Sequence, residues 1–327
     1  MSAASYTTRL LHTRGANLGI ALLALVIVSI FYFSGNTVAI EGDRGLALPS
    51  ANEWFPNSLA DFAAGISASA LTVFLMLLLN KIHNVLRSMT SLNIAMFAMM
   101  QAATPNLTSQ FYSGGLLAVI VPLCILVLFN CYSSPGNTRQ VFLIFLMLSA
   151  ATLSQYCFAF YMPVMLLGCA QMRIFNWRSI SAATLGIITP WWILAGFGIV
   201  DLSSLRIPHF DNILDQFHGE GALLILITAG FTTLVTILSY ILNVVRTIAY
   251  NARARAINGV FTVTTIMTLA AMCLDYGNML CYVPLLNFCA AMEVTHFFST
   301  HRAEKSFIAI LIILAAYATI SICQTAI

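Results

Sequence analysis

The chain has 327 residues, of which 60% are hydrophobic and 8% charged, with a formal net charge of +3 and a mean hydropathy of +0.91. A soluble domain carries roughly 25% charged residues, so this composition excludes a water-soluble globule: too little polar surface exists to coat one. The basic residues are spread thinly, with no dense patch and no interleaved aromatics, which excludes a nucleic-acid partner.

Apolar runs suited to a hydrocarbon core of about 30 Å recur along the whole chain. In lipid each run must satisfy its own backbone, so the runs are predicted to be helices. They fall at residues 16–33, 61–79, 91–103, 115–129, 141–153, 159–172, 180–200, 222–244, 256–274, 279–297 and 307–323. The expected fold is all-α: a polytopic transmembrane helical bundle of about eleven spans, one integral membrane domain over residues 1–327. The N-terminus is expected in the cytoplasm and the C-terminus outside.

The first run follows Arg9 and Arg14 as a signal peptide would, but Phe31, Tyr32 and Phe33 stand where a small-residue cleavage site belongs. It is expected to be retained as a span. Glu41, Asp43 and Arg44 follow it in the first outer segment, 34–60. A carboxylate in this place can act as base or metal ligand toward a polyprenyl-phosphate sugar; a solvated turn would also explain the residues. Trp54, Phe55 and Pro56 suit a stretch lying at the membrane interface. Ala63, Ala64, Gly65, Ser67 and Ser69 in the second run predict close helix contact. Asn80, Lys81 and His83, with Arg87 beyond, read as a positive anchor.

Residues 141–172 decide the topology. One helix of that length would run about 48 Å, too long for a single crossing, and Ser154, Gln155 and Tyr156 lie at its middle with Pro163 following. As a hairpin, the stretch leaves twelve of fourteen Lys and Arg inside, with only Arg44 and Arg206 outside. As one span, it inverts everything beyond it and leaves six inside and eight outside. The positive-inside rule selects the hairpin. Nine of the eleven acids then fall outside, a weaker signal.

Pro190 interrupts the seventh run beside Trp191 and Trp192, whose indoles could line a cavity or simply pack. The next outer segment holds Asp201, Arg206, His209, Asp211, Asp215, His218 and Glu220. Carboxylates with His can serve acid–base chemistry or bind metal. Asp211 and Asp215, four apart, would share one face of a short helix. In the tenth run, Glu293 and His296 stand three apart, with Cys289 one turn earlier. An ionisable residue inside a membrane is a functional candidate; pairing with Arg302 at the inner face is the plainer reading. The catalytic candidates are therefore Asp43, Asp211 and Asp215, and the binding candidates Arg206, His209, Trp191 and Glu293. The eight Cys residues form no CxxC pair and lie mostly in apolar runs, so they read as buried small hydrophobes rather than zinc ligands. Neither a cofactor nor a particular metal is specified.

Leu77-Leu78-Leu79-Asn80-Lys81-Ile82, Phe111 with the run that follows it, Arg173-Ile174-Phe175-Asn176-Trp177-Arg178, and Gly186 through Pro190-Trp191 form a pattern. It reads approximately R-x-F-N-W-R followed by G-x-x-x-P-[YW]. Residues 60–200 thereby resemble an uncharacterised family of bacterial polytopic membrane proteins, a domain of unknown function. The resemblance implies the architecture and a bacterial inner-membrane location, and brings no activity.

The expected function is a part in assembling cell-envelope glycans or lipids, as a transferase- or polymerase-like enzyme with its site at the outer face. Lipid-linked donors would explain why no nucleotide-binding motif is present. The alternatives are a membrane transporter, against which stand the absence of an inverted repeat and the few intramembrane charges, and a non-catalytic subunit of a larger complex. Expected partners are the lipid bilayer, a lipid-linked substrate and other membrane proteins.

Overall fold

An apolar chain in an apolar solvent must pair its backbone internally, and every regular element among the described residues is helical. The computed structural model describes residues 13–38, 40, 46–86, 91–134, 136–199, 220–247, 250–300 and 304–326. The helices are α1 (Arg14–Phe33), α2 (Ser58–His83), α3 (Leu92–Ala102), the single turn α4 (Pro105–Thr108), α5 (Ser113–Phe129) and α6 (Thr138–Ser154). They continue with α7 (Tyr161–Gln171), α8 (Trp177–Gly196), α9 (Glu220–Thr247), α10 (Ala252–Leu274), α11 (Met279–Thr300) and α12 (Glu304–Ala326). Apart from α4, each coincides with one of the predicted runs. Among the described residues seven helices are long and apolar enough to cross a membrane: α1, α2, α8, α9, α10, α11 and α12. The chain is thus all-α and has the build of a multi-pass membrane protein. The other four, α3, α5, α6 and α7 with its preceding turn, are apolar but only 10–17 residues long.

The 141–172 stretch is two helices. α6 ends at Ser154, Gln155 is extended (φ −153°, ψ 132°), and a 3-10 turn over Tyr156–Phe160 leads into α7. Polar side chains set several other boundaries. Asn176 and Ser179 cap α8 reciprocally: Ser179 N donates to Asn176 Oδ1 at 2.8 Å, and Asn176 N donates to Ser179 Oγ at 2.9 Å. Asn80 Oδ1 accepts from Leu86 N at 3.0 Å and Asn84 is left-handed (φ 51°), which turns the chain after α2. Asn176 of the N-W-R piece and Asn80 of the N-K-I piece are therefore cap and turn devices.

α11 is the axis of the bundle. Its apolar window is 89% buried, whereas those of the other six long helices are 22–44% buried. It packs against α3, α5, α9 and α10. α8 sits at the periphery, packed on α6, with Trp192 and Phe197 74% and 79% exposed. Such surfaces suit lipid. Close approach is built with glycine: a Cβ at Gly186 would stand 2.7 Å from the Phe142 carbonyl oxygen on α6, and one at Gly65 would stand 2.8 Å from the Gln110 carbonyl oxygen. The small residues of the second run are expected to meet another helix; at Gly65 the close neighbour is the backbone at the end of α4 and in the link to α5.

The loops gather into two ends. At one, Ser299 Oγ donates to Leu86 O (2.8 Å), Ser133 N donates to Met172 O (3.0 Å), and Arg253 lies over the Tyr132 ring. Lys81, Arg139, Arg173, Arg178 and Arg255 lie on helices and turns that close this basic end. At the other, Ala47 N and Leu48 N donate to Leu153 O (both 2.9 Å), Val38 N donates to Asn106 Oδ1 (2.9 Å), and Phe111 N donates to Asp61 Oδ1 (2.9 Å). Trp54 and Phe55 cover Phe111. The segments expected on the outer face thus meet one another at an acidic end.

Candidate functional site

Of the candidates named from sequence, Asp43, Arg206, His209, Asp211 and Asp215 lie outside the described residues. Trp191 is half-buried on the peripheral α8, and its neighbour Trp192 points away from the bundle. Glu293 is in the interior.

α11 advances 100° per residue, so Tyr282, Cys289, Glu293 and His296 fall within about 60° of one another around its axis. This polar stripe faces the interior. Asn243 of α9 donates through Nδ2 to Glu293 Oε2 at 2.9 Å and to the Glu293 carbonyl at 3.0 Å. The partner seen for the carboxyl group is thus a neutral amide; Arg302, the cation expected beside it, lies outside the described residues. One turn toward the basic end, His296 Nε2 is 3.5 Å from Tyr250 Oη, with the rings edge to face. One turn the other way, Cys289 is within reach of the Thr265 and Thr268 hydroxyls of α10. Thr268 Oγ1 is in turn 3.1 Å from Tyr161 Oη of α7.

A second polar centre closes α11 at the acidic end, and sequence reasoning missed it. Asp275 is 1% exposed. Its Oδ1 accepts from Tyr156 Oη at 2.7 Å and its Oδ2 from Tyr282 Oη at 2.6 Å. Asn278 Nδ2 donates to Tyr156 Oη. In the sequence Asp275 stands in a short outer segment, 275–278, and nothing there marks it as buried. Its burial comes from Tyr156, at the apex of the α6–α7 hairpin, 119 positions away in sequence. The only local signal was Tyr282, seven residues on, which is two helical turns along the same face. Beside this centre the thiols of Cys157 and Cys281 touch, Sγ to Sγ 3.3 Å.

A third group lies on other faces of α11. Asn287 Nδ2 donates to Gln101 Oε1 of α3 at 3.1 Å, and Asn93 Nδ2 approaches Met292 Sδ at 4.0 Å. Asn93 Oδ1, Asn287 Oδ1 and Thr295 Oγ1 are buried with no hydrogen-bond partner among the described residues. Buried amide oxygens in that state can receive a donor or a cation. No group of three or more His, Cys, Asp and Glu placed to hold a metal occurs among the described residues.

The arrangement is that of a multi-pass membrane protein with two buried carboxyl groups, Asp275 four residues before the enclosed central helix and Glu293 on it. No family model, curated protein or solved structure matches the chain.

Proposed function

We propose that the chain is a membrane protein of transport type, in which Glu293 exchanges a proton or small cation as a solute moves through the bundle. One observation carries the reading: Glu293 lies on the most enclosed helix of the fold and is held by a neutral amide rather than by a cation of the described chain. Ionisable groups placed this way in membrane bundles mark ion and proton pathways. The stripe from Tyr282 to His296 supplies further hydroxyl, thiol and imidazole groups over about 21 Å of helix. Two points stand against transport, the absence of an inverted repeat and the few intramembrane charges. Asp275 and Glu293, both enclosed in the bundle, weaken the second.

In this reading the four shorter helices also cross, giving eleven spans. The basic end faces the cytoplasm by the positive-inside rule, with the N-terminus inside. The resemblance over residues 60–200 adds a bacterial inner membrane. The test is the purified protein in proteoliposomes carrying a trapped pH-sensitive dye, with a pH or sodium gradient imposed. Gradient-driven flux is expected in the wild type, loss of flux in E293Q and partial flux in E293D. E293Q keeps an acceptor for Asn243, so it should fold normally. Wild-type flux in E293Q would overturn the reading.

A second reading, envelope glycan or lipid assembly at the outer face, is favoured by the ordered acidic-end surface. There residues 46–60, 104–112 and the α6–α7 apex pack together. It requires that Asn substitution at Asp43, Asp211 or Asp215 abolish function at normal membrane levels. Full function in all three variants would remove it.

A further inference from the structure

We propose that Cys157 and Cys281 form a disulfide in the mature protein, a covalent clasp between the apex of the α6–α7 hairpin and the start of α11. Both are buried, as expected of cysteines in apolar runs, but they also meet each other. Their sulfur atoms are 3.3 Å apart, and they come from segments 124 positions apart in sequence. A disulfide needs its sulfurs at about 2.05 Å, so closure requires a shift of little more than an ångström.

In the orientation proposed above the pair lies near the membrane surface. Cys157 is two residues past the break at Gln155, and Cys281 is the third residue of α11, just after the half-buried link at 276–278. An oxidant therefore has to reach only the first turn of each segment, before or during closure of the acidic end. The proposal rests on the orientation given above, which puts that end in the non-cytoplasmic, oxidising compartment.

The chemistry balances as thiol–disulfide exchange with a disulfide-bearing thiol oxidase. One cysteine thiolate attacks the oxidant's disulfide and expels its second sulfur as a thiolate. The other cysteine then attacks the mixed disulfide and releases the oxidant as a dithiol. Two protons and two electrons leave the chain, and one S–S bond forms. The clasp would fix Tyr156 and Tyr282 on either side of Asp275, since each is the sequence neighbour of a bridged cysteine. It closes a long loop, the case in which a cross-link constrains the unfolded chain most.

The fold contains its own control. Cys131 and Cys169 also lie near each other, but at the basic end. In a reducing cytoplasm they should remain thiols. The test is differential alkylation of protein extracted without reductant. Thiols are blocked with light N-ethylmaleimide in denaturant, the sample is reduced, and released thiols take a heavy reagent before peptide mass spectrometry. Heavy label on Cys157 and Cys281, with light label on Cys131 and Cys169, is the expected result. Reductant should then lower the thermal midpoint by several degrees in the wild type and leave a C157S/C281S variant unchanged. Light label on Cys157 and Cys281 would overturn the proposal. Reporter fusions separate the two failures: thiols found with the acidic end outside refute the clasp alone, whereas thiols with that end in the cytoplasm refute the orientation beneath it.

Discussion

Replacing Asn243 by Ala removes both bonds that reach Glu293, the 2.9 Å contact to Oε2 and the 3.0 Å contact to its carbonyl. Interhelical hydrogen bonds between side chains in membranes average about 0.6 kcal/mol and reach about 1.7 at most. Bonds to a charged group contribute more, about 1.5–3 kcal/mol. If Glu293 is ionised for part of its cycle, N243A should therefore cost about 2 kcal/mol in the wild type. In an E293Q background the same change removes only neutral bonds and should cost about 1 kcal/mol. The expected coupling is about 1 kcal/mol, roughly a fivefold change in the folding equilibrium. Equilibrium unfolding in mixed detergent and SDS micelles, followed by circular dichroism, measures all four corners of the cycle. Equal costs in the two backgrounds would show that Asn243 never meets a charge, and the argument for ion exchange at Glu293 would lose its footing. A negligible cost in both would refute the contact itself.

On α8, G186A should destabilise the fold by about 1–3 kcal/mol through overpacking against the Phe142 backbone. G196A, where a Cβ meets nothing within 4 Å, should be neutral or slightly stabilising, and thermal midpoints of the two variants decide the matter. D275L should lower stability by at least about 1–3 kcal/mol, because it leaves the Tyr282 and Tyr156 hydroxyls without their buried acceptor; an unchanged melting curve would contradict the burial of this centre. Reporter fusions after Arg87, Arg178, Arg255 and Arg302 should report cytoplasm, and fusions after Ala47 and Asp215 the outer side. The reverse pattern beyond Arg178 would contradict the crossing of both α6 and α7.

The helices were legible because lipid leaves a hydrophobic run few alternatives, and the break at Gln155 because two short helices fit the charge balance where one long one does not. The lengths were less so. α3 spans only about 16 Å at 1.5 Å per residue, which looks too short to cross. Residues 103–109 after it are nonetheless mostly buried, with Thr108 Oγ1 donating to Gln101 O at 2.7 Å. Irregular backbone at depth is tolerated when protein rather than lipid surrounds it, and no local sequence feature announces what will surround a segment. The same limit hid Asp275. A carboxylate beside Gly and Asn reads as a turn, and only the distant Tyr156 makes it a buried group. Glu293 was found because its chemistry is improbable in an apolar run, but its partner, on a helix 50 positions earlier, was not.

The location of these polar groups follows from the solvent. A helix that faces lipid must keep that face apolar, as α1, α8 and α12 do with exposed Leu22, Ile188 and Ile312. α11 faces only other helices, so nothing in the bilayer restricts its side chains, and any of its faces can hold a polar group if a neighbour supplies a partner. Asn243, Gln101, Tyr156, Thr265 and Thr268 are those neighbours, drawn from four different segments. A helix carrying chemistry inside a membrane is therefore recognised by polar residues on more than one face within an otherwise apolar run. In this chain that description fits residues 279–300, where Asn287 and Glu293 stand about 120° apart around the helix axis, better than the acidic outer segments.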